Sequence, residues 1–174
     1  MLAKNRITYI LLCNILFIHA CSTVDNSVNV NLGLAYLQQN KPELAKYRLL
    51  LALEQTPRDE IAQDAFAYYS EKTGEFAQAK QHYLLAIRFA KHPGAAKNNY
   101  GTFLCRRGQY TEAIHYFLAA SQDLYYLNTA NAYENAGLCA LKIPDAKQAK
   151  DYFSKAITIN PARSRSPAEL TKMS

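Results

Sequence analysis

Small residues recur along this chain at a spacing of about 34 residues, which is within the range of periods that marks a repeat architecture. Gly33, Ala67, Gly101 and Gly137 form one such column, with steps of 34, 34 and 36 between successive members. Three columns agree over four units, which argues against a generic amphipathic bundle with chance spacing. The other two columns are both made of alanine, and their members are Ala45, Ala79, Ala113 and Ala149, and Ala52, Ala86, Ala120 and Ala156.

A period near 34 with small residues in fixed columns is the signature of the tetratricopeptide repeat, in which each unit is a helix–turn–helix. Small residues let the two helices approach closely, and an aromatic column fills the space between neighbours. We therefore predict an all-α fold: a right-handed superhelix of four repeats, eight antiparallel helices, and the truncated start of a fifth. The predicted repeats are 26–59, 60–93, 94–129 and 130–163, and 164–174 is an incomplete fifth repeat or a disordered tail.

Proline positions help to place the helices within each repeat. Pro57 and Pro161 are expected to end second helices, and Pro42 and Pro144 to stand in the first turn of second helices, where proline is tolerated. The predicted helices are 27–39, 43–55, 60–72, 76–90, 94–107, 111–121, 129–142 and 146–159.

The first twenty residues have the pattern of a secretory signal. Lys4 and Arg6 precede an apolar run, 7–18, that is too short to span a bilayer. The tetrad 18–21, Ile-His-Ala-Cys, resembles a bacterial lipobox, so we predict a signal peptide over 1–20, lipidation of Cys21 and a short tether over 21–26. By resemblance to Gram-negative lipoproteins, serine after the cysteine favours the periplasmic face of the outer membrane. The alternative is an ordinary secretory signal with a chance cysteine.

Composition and residue spacing point away from catalysis and nucleic acid binding. The formal charge is +6, but the basic residues are mixed with acids and form no stripe of the kind nucleic acid requires. His82 and His115 have no carboxylate or cysteine at metal-ligand spacing, and no nucleophile–base set or phosphate-binding glycine loop occurs. We expect a non-enzymatic protein without a cofactor, metal or small-molecule substrate.

Two cysteines of the repeat region, Cys105 and Cys139, lie one repeat length apart in the first helices of adjacent repeats. Such helices lie side by side, so a disulfide is sterically conceivable, and the cell envelope is oxidising. Two buried thiols are the alternative interpretation, and the sequence leaves the choice open.

First helices supply most of the concave wall in tetratricopeptide arrays, which places the predicted partner-binding groove there. The wall is expected to be apolar near the N-terminus and polar further along, which suits an amphipathic or extended apolar client segment. The alternative is that Val30, Leu34 and Leu37 are covered by neighbouring structure. The residues predicted for the groove are Val30, Leu34, Leu37, Gln38, Tyr68, Lys72, Asn98, Thr102, Arg106 and Glu134, with Asp64 and Glu71 on the same wall.

The connector 123–127 is unusually apolar, with the sequence Asp-Leu-Tyr-Tyr-Leu. Either it packs against the seam between the third and fourth repeats, or it presents Tyr125 and Tyr126 to a partner. Apolar residues are more often buried than exposed, so packing is favoured.

Three segments carry a family resemblance: 31–37 (NLGLAYL), 98–105 (NNYGTFLC) and 132–141 (AYENAGLCAL). Together with the lipobox they resemble the PilF/PilW family of type IV pilus biogenesis lipoproteins. The resemblance implies a pilotin that helps the pilus secretin subunit to reach the outer membrane and multimerise, with Cys21 as its anchor and the first-helix wall as its client site. A general envelope scaffold that recruits peptidoglycan or outer-membrane assembly proteins is the alternative.

Residues 165–170 resemble the opening of a fifth repeat, and the sequence ends at Ser174. Repeat arrays normally need a polar capping helix. We therefore expect the far face of helix 146–159, with Tyr152, Phe153 and Ile157, to be partly exposed, covered by the tail, or covered by self-association with a second copy.

Overall fold

The computed structural model describes residues 26–143 and 146–162. This part of the chain contains eight α-helices, whose bounds agree with the predicted ones to within two residues and confirm the all-α repeat fold. They are α1 (Asn26–Gln38), α2 (Pro42–Gln55), α3 (Glu60–Lys72), α4 (Phe76–Phe89), α5 (Gly94–Arg106), α6 (Tyr110–Ser121), α7 (Thr129–Ala140) and α8 (Ala146–Ile159).

The small-residue columns lie where the two helices of each repeat touch. A Cβ atom on Gly33 would lie 2.6 Å from Cγ of Leu49, and one on Gly137 would lie 2.6 Å from Cε1 of Phe153. Glycine at these positions therefore lets a large side chain of the second helix pack directly on the backbone of the first. Every member of both alanine columns is fully buried, as predicted.

The turns inside the first three repeats share one backbone geometry. Asn40, Gly74 and Gly108, again one repeat length apart, have φ angles of 56°, 88° and 79°. In each turn the backbone N–H of the third residue beyond the helix donates to a carbonyl five residues earlier, as from Glu75 to Ser70 at 2.8 Å. These turns end the first helices and reverse the chain, so that the helices alternate in direction.

The buried side chains form two clusters along the array. Leu49, Phe66 and Tyr69 belong to the cluster of the first two repeats, together with Val30. The second cluster extends from the second repeat to the fourth, and its largest members are Tyr83, Tyr100, Phe117 and Phe153.

Partial exposure, one of the three outcomes expected for the far face of α8, is wrong for Phe153. Its ring is fully buried because it packs on Gly137 of its own repeat. Tyr152 and Ile157 are partly exposed. The predicted signal peptide 1–20, lipidated Cys21, Pro144 and the fifth-repeat segment 164–174 lie outside the described residues. Within the described part, no helix is long and apolar enough to cross a bilayer.

The packing prediction for the connector 123–127 is wrong for three of its residues. Leu124 is 96% exposed, Leu127 is 95% exposed and Tyr125 is 69% exposed. Tyr126 packs against Gly94 at the start of α5, where a glycine leaves room for it.

Candidate protein-binding groove

A groove of about 360 Å³ lies across the first helices of the first three repeats. Helices α1, α3 and α5 supply all but one of the lining residues, and α4 supplies the other. The lining residues are Leu34, Gln38, Ile61, Asp64, Ala65, Tyr68, Tyr83, Asn99, Thr102 and Arg106.

Five predicted groove residues line this site, and they are Leu34, Gln38, Tyr68, Thr102 and Arg106. Three others lie outside it. Leu37 packs against the first core cluster. The Lys72 ammonium lies 5.9 Å from the centroid of the Tyr68 ring. Asn98 accepts a hydrogen bond of 3.0 Å from Asn135 of α7.

Two predicted groove residues are buried and form no part of an accessible wall. Val30 is 3% exposed and packs in the first core cluster, as the alternative interpretation of the α1 residues held. Glu134 is 2% exposed. Both belong to first helices, but the residues chosen there face their packing neighbours instead of the groove.

Four lining residues were missed from the sequence, and they are Ile61, Ala65, Tyr83 and Asn99. Ile61 shares one helical face with Asp64, Ala65 and Tyr68, so the helical spacing of three and four residues contained that signal. Asn99 lies in the groove in place of Asn98, which differs from it by a rotation of one residue about the helix axis. Tyr83 reaches the groove from a second helix, which the rule for first helices does not predict.

Arg106 and Glu71 form a two-fold ion pair between the third repeat and the second. The Arg106 Nε donates to Oε1 of Glu71 at 2.5 Å, and Nη2 donates to Oε2 at 2.7 Å. The Tyr83 hydroxyl donates to the same carboxylate at 3.0 Å. Burial and the Glu71 charge raise the pKa of Tyr83, so its hydroxyl stays protonated and remains a donor.

Asp64 places an unused acceptor at the wall of the groove. Its Oδ2 accepts a hydrogen bond of 2.8 Å from Asn99, whereas its Oδ1 is buried and has no hydrogen-bond partner among the described residues. Burial raises the pKa of Asp64 to about 6, against the lowering effect of the Asn99 hydrogen bond. A buried acceptor without a donor is costly, and a donor on a bound molecule would offset that cost.

Of the two alternatives for the cysteines, a disulfide or two buried thiols, the structure contains the disulfide. Cys105 and Cys139 are bonded, with Cα atoms 5.9 Å apart, and the bond joins α5 to α7 beside Arg106. Among the described residues no three His, Cys, Asp or Glu side chains form a group that could hold a metal ion. The arrangement can hold a polypeptide by apolar contacts and hydrogen bonds.

Comparison with known proteins agrees with this architecture. The sequence signature of the tetratricopeptide repeat matches residues 94–162. The type IV pilus assembly protein PilF of Pseudomonas aeruginosa is 37% identical over 131 residues, which are 75% of this chain and 52% of that protein. A solved structure of P. aeruginosa PilF superimposes with a TM-score of 0.77 at 33% identity, covering 85% of this chain and 67% of that one. This chain belongs to the PilF/PilW family.

A second member of the family shows the same fold at lower identity. The crystal structure of PilW, described as a type IV pilus biogenesis factor, matches with a TM-score of 0.76 at 23% identity, covering 87% of this chain and 70% of that one. The chain spans about half the length of the curated PilF sequence that it matches.

Proposed function

We propose that this chain is a non-enzymatic, protein-binding lipoprotein of type IV pilus biogenesis. Its groove holds a segment of the pilus secretin subunit and thereby assists the secretin's localisation to the outer membrane and its multimerisation. The observation that carries the proposal is the groove itself, in a chain whose relative PilF is a type IV pilus assembly protein.

The chemistry of the groove suits a polypeptide segment. Leu34, Ile61 and Tyr68 provide apolar surface for side chains of the client, and Ile61 and Tyr68 are both exposed. The free oxygen of Asp64 can accept a hydrogen bond from a donor on the client. Recognition of this kind combines apolar pockets with a few fixed polar groups.

Lipidation of Cys21 would hold the groove close to a membrane. Five fully extended residues, from Ser22 to the start of α1, reach at most roughly 17 Å. The outer-membrane lipoprotein assignment, with the array on the periplasmic face, rests on the lipobox resemblance and on membership of the family.

The test measures binding of the purified pilus secretin to the full-length chain in detergent. Leu34→Asp or Ile61→Asp should weaken binding by about tenfold or more, since each puts a charge on the apolar part of the groove. Leu50→Asp is the matched control, because Leu50 is an exposed leucine on α2 and does not line the groove. Circular dichroism should show unchanged helix content in all three variants.

Equal secretin binding by the groove variants and the control would place the client elsewhere. Deletion of the gene should also remove secretin rings from the outer membrane and strand secretin monomers. Normal rings in the deletion strain would overturn the proposal.

Co-purification of peptidoglycan or outer-membrane assembly proteins without secretin would favour the general scaffold.

A further inference from the structure

The N-terminus of α1 and the connectors between repeats lie along one edge of the array. Because the helices alternate in direction, Asn26 and the connectors 56–59, 90–93 and 122–128 come together there, and we call this set the connector edge. The Asn26 side chain donates to Oγ1 of Thr56 at 2.5 Å. Further along, the Gly94 backbone N–H donates to Oδ2 of Asp123 at 2.7 Å.

The connector edge carries a fixed apolar tip. Leu124 and Leu127 are almost fully exposed, and Tyr125 is largely exposed, with its ring centroid 3.8 Å from that of His92. The backbone beneath them is held in place, because the Asp123 carboxylate accepts from the N–H groups of both Gly94 and Tyr125. Leucines held in contact with water by an ordered backbone indicate a surface that binds something apolar.

Two lysines lie beside this tip. Lys91 and Lys97 border the same shallow depression as Leu124 and Tyr125. Asp123, the acid that shares this depression, is already engaged by two backbone N–H groups. An apolar tip flanked by lysines is the pattern of a protein surface that rests on an anionic lipid bilayer.

We propose that the connector edge docks on an anionic phospholipid bilayer, with Leu124, Tyr125 and Leu127 inserted at the headgroup level. Lys91 and Lys97 then face lipid phosphates. The chain reaches this edge at Asn26, so the Cys21 attachment of the proposed function would bring the same edge to the bilayer. A second copy is a poorer occupant, since three side chains offer far less than the roughly 800 Å² per partner of a stable interface.

The docked orientation has a consequence for the groove. The first helices begin at the connector edge and run away from it, so the groove across α1, α3 and α5 would open sideways, along the bilayer surface. A client segment emerging from the membrane would then meet the groove without release of the array from the lipid.

The chain contains no tryptophan, which permits a direct test. Leu124→Trp places a single reporter at the tip, and Tyr47→Trp places one at an exposed aromatic position of α2, near the opposite edge. Each full-length variant is reconstituted in vesicles of phosphatidylethanolamine and phosphatidylglycerol that contain phospholipid brominated on its acyl chains. Bromine should quench the reporter at position 124 at least about twofold more than the one at position 47, because an inserted side chain lies near the acyl chains.

Two further measurements complete the test. Lys91→Glu with Lys97→Glu in the Leu124→Trp background should lower the quenching about twofold, as should replacement of the anionic lipid by phosphatidylcholine. Equal quenching at positions 124 and 47 would overturn the proposal. A second outcome would also overturn it: the reporter at position 124 becomes shielded from aqueous iodide as the protein concentration rises, but bromine does not quench it. That result would identify a second copy as the occupant.

The experiment separates this inference from the proposed function. If Cys21 is not lipidated, the comparison of positions 124 and 47 in the vesicle-bound fraction of the chain still reports which edge faces the lipid. Secretin binding is measured on the same variants. Quenching at position 124 without secretin binding would refute secretin as the client of the groove, but it would support docking of the connector edge on the bilayer.

Discussion

The disulfide between Cys105 of α5 and Cys139 of α7 joins the first helices of the third and fourth repeats, with Cα atoms 5.9 Å apart. Cys139 is fully buried, and Cys105 precedes Arg106, the last groove residue of α5. The bond therefore fixes the polar end of the groove wall against the repeat that follows it. Repeats otherwise hold their neighbours only by non-covalent packing.

Replacing both cysteines by alanine should lower the free energy of unfolding by about 2–4 kcal/mol, because a disulfide restricts the unfolded chain. Chemical denaturation measures this change. Added reductant should destabilise the wild-type chain by a similar amount and leave the double variant unchanged. A double variant as stable as the wild type in oxidising buffer would show that the bond contributes nothing to stability.

Gly101→Ala should destabilise the third repeat by about 1–3 kcal/mol, since the added methyl group overpacks a filled interface. Its Cβ would lie 2.8 Å from Cε1 of Phe117 and 3.1 Å from the Ala113 carbonyl oxygen. Thermal unfolding followed by circular dichroism measures the loss. Ser154→Ala on the exposed face of α8 is the control and should change the melting temperature little. A Gly101→Ala variant that melts with the control would contradict the close approach of α5 and α6.

The eight helices could be predicted from the sequence because the same close contact between two helices recurs in all four repeats. Each column of small residues marks that contact once in every repeat. The groove could be predicted only in part. The choice between Asn98 and Asn99 depends on a rotation of one residue about the axis of α5, which the repeat period does not determine. The burial of Val30 and Glu134 depends on which side chains of neighbouring helices cover them. The exposed leucines of the connector were missed because apolar residues are usually buried.

Arg106→Ala should cost about 1–3 kcal/mol of stability, because it leaves the largely buried Glu71 carboxylate with the Tyr83 hydroxyl as its only partner from the ion-pair cluster. Lys155→Ala is the matched control. It removes the exposed pair that Lys155 forms with Asp151 at 2.9 Å, and an exposed pair is worth roughly 0–1 kcal/mol. Urea unfolding of the two variants measures the difference. Equal losses would mean that the Glu71 pair is as weak as a surface pair.

Cys21→Ala should abolish incorporation of radiolabelled palmitate and release the chain from the outer-membrane fraction, if the lipobox resemblance identifies the anchor. Cys13→Ala is the control, because Cys13 lies inside the predicted signal peptide and should not affect attachment. Cell fractionation with immunoblotting measures both variants. Palmitate label that persists in Cys21→Ala would refute lipidation at this residue.

Asp64 predicts a specific pH dependence of stability. Its pKa is raised by burial from the ordinary value of 3.8 to about 6 in the folded chain, so the folded state binds this proton more tightly than the unfolded state does. The contribution of Asp64 to stability should therefore fall as the pH rises from 4 through 6, and the loss should be complete by about pH 7. A pKa difference of this size corresponds to about 3 kcal/mol.

Asp64→Asn cannot ionise, so its free energy of unfolding relative to wild type should increase by up to about 3 kcal/mol between pH 4 and pH 7. The amide can still accept the hydrogen bond from Asn99 through its oxygen. Urea titrations of both proteins across this pH range measure the difference between their free energies of unfolding. The contributions of the other titratable groups cancel in this difference. A constant difference between pH 4 and pH 7 would mean that Asp64 titrates as an exposed carboxyl. In that case its free oxygen would be hydrated and unavailable as a dry acceptor for the client.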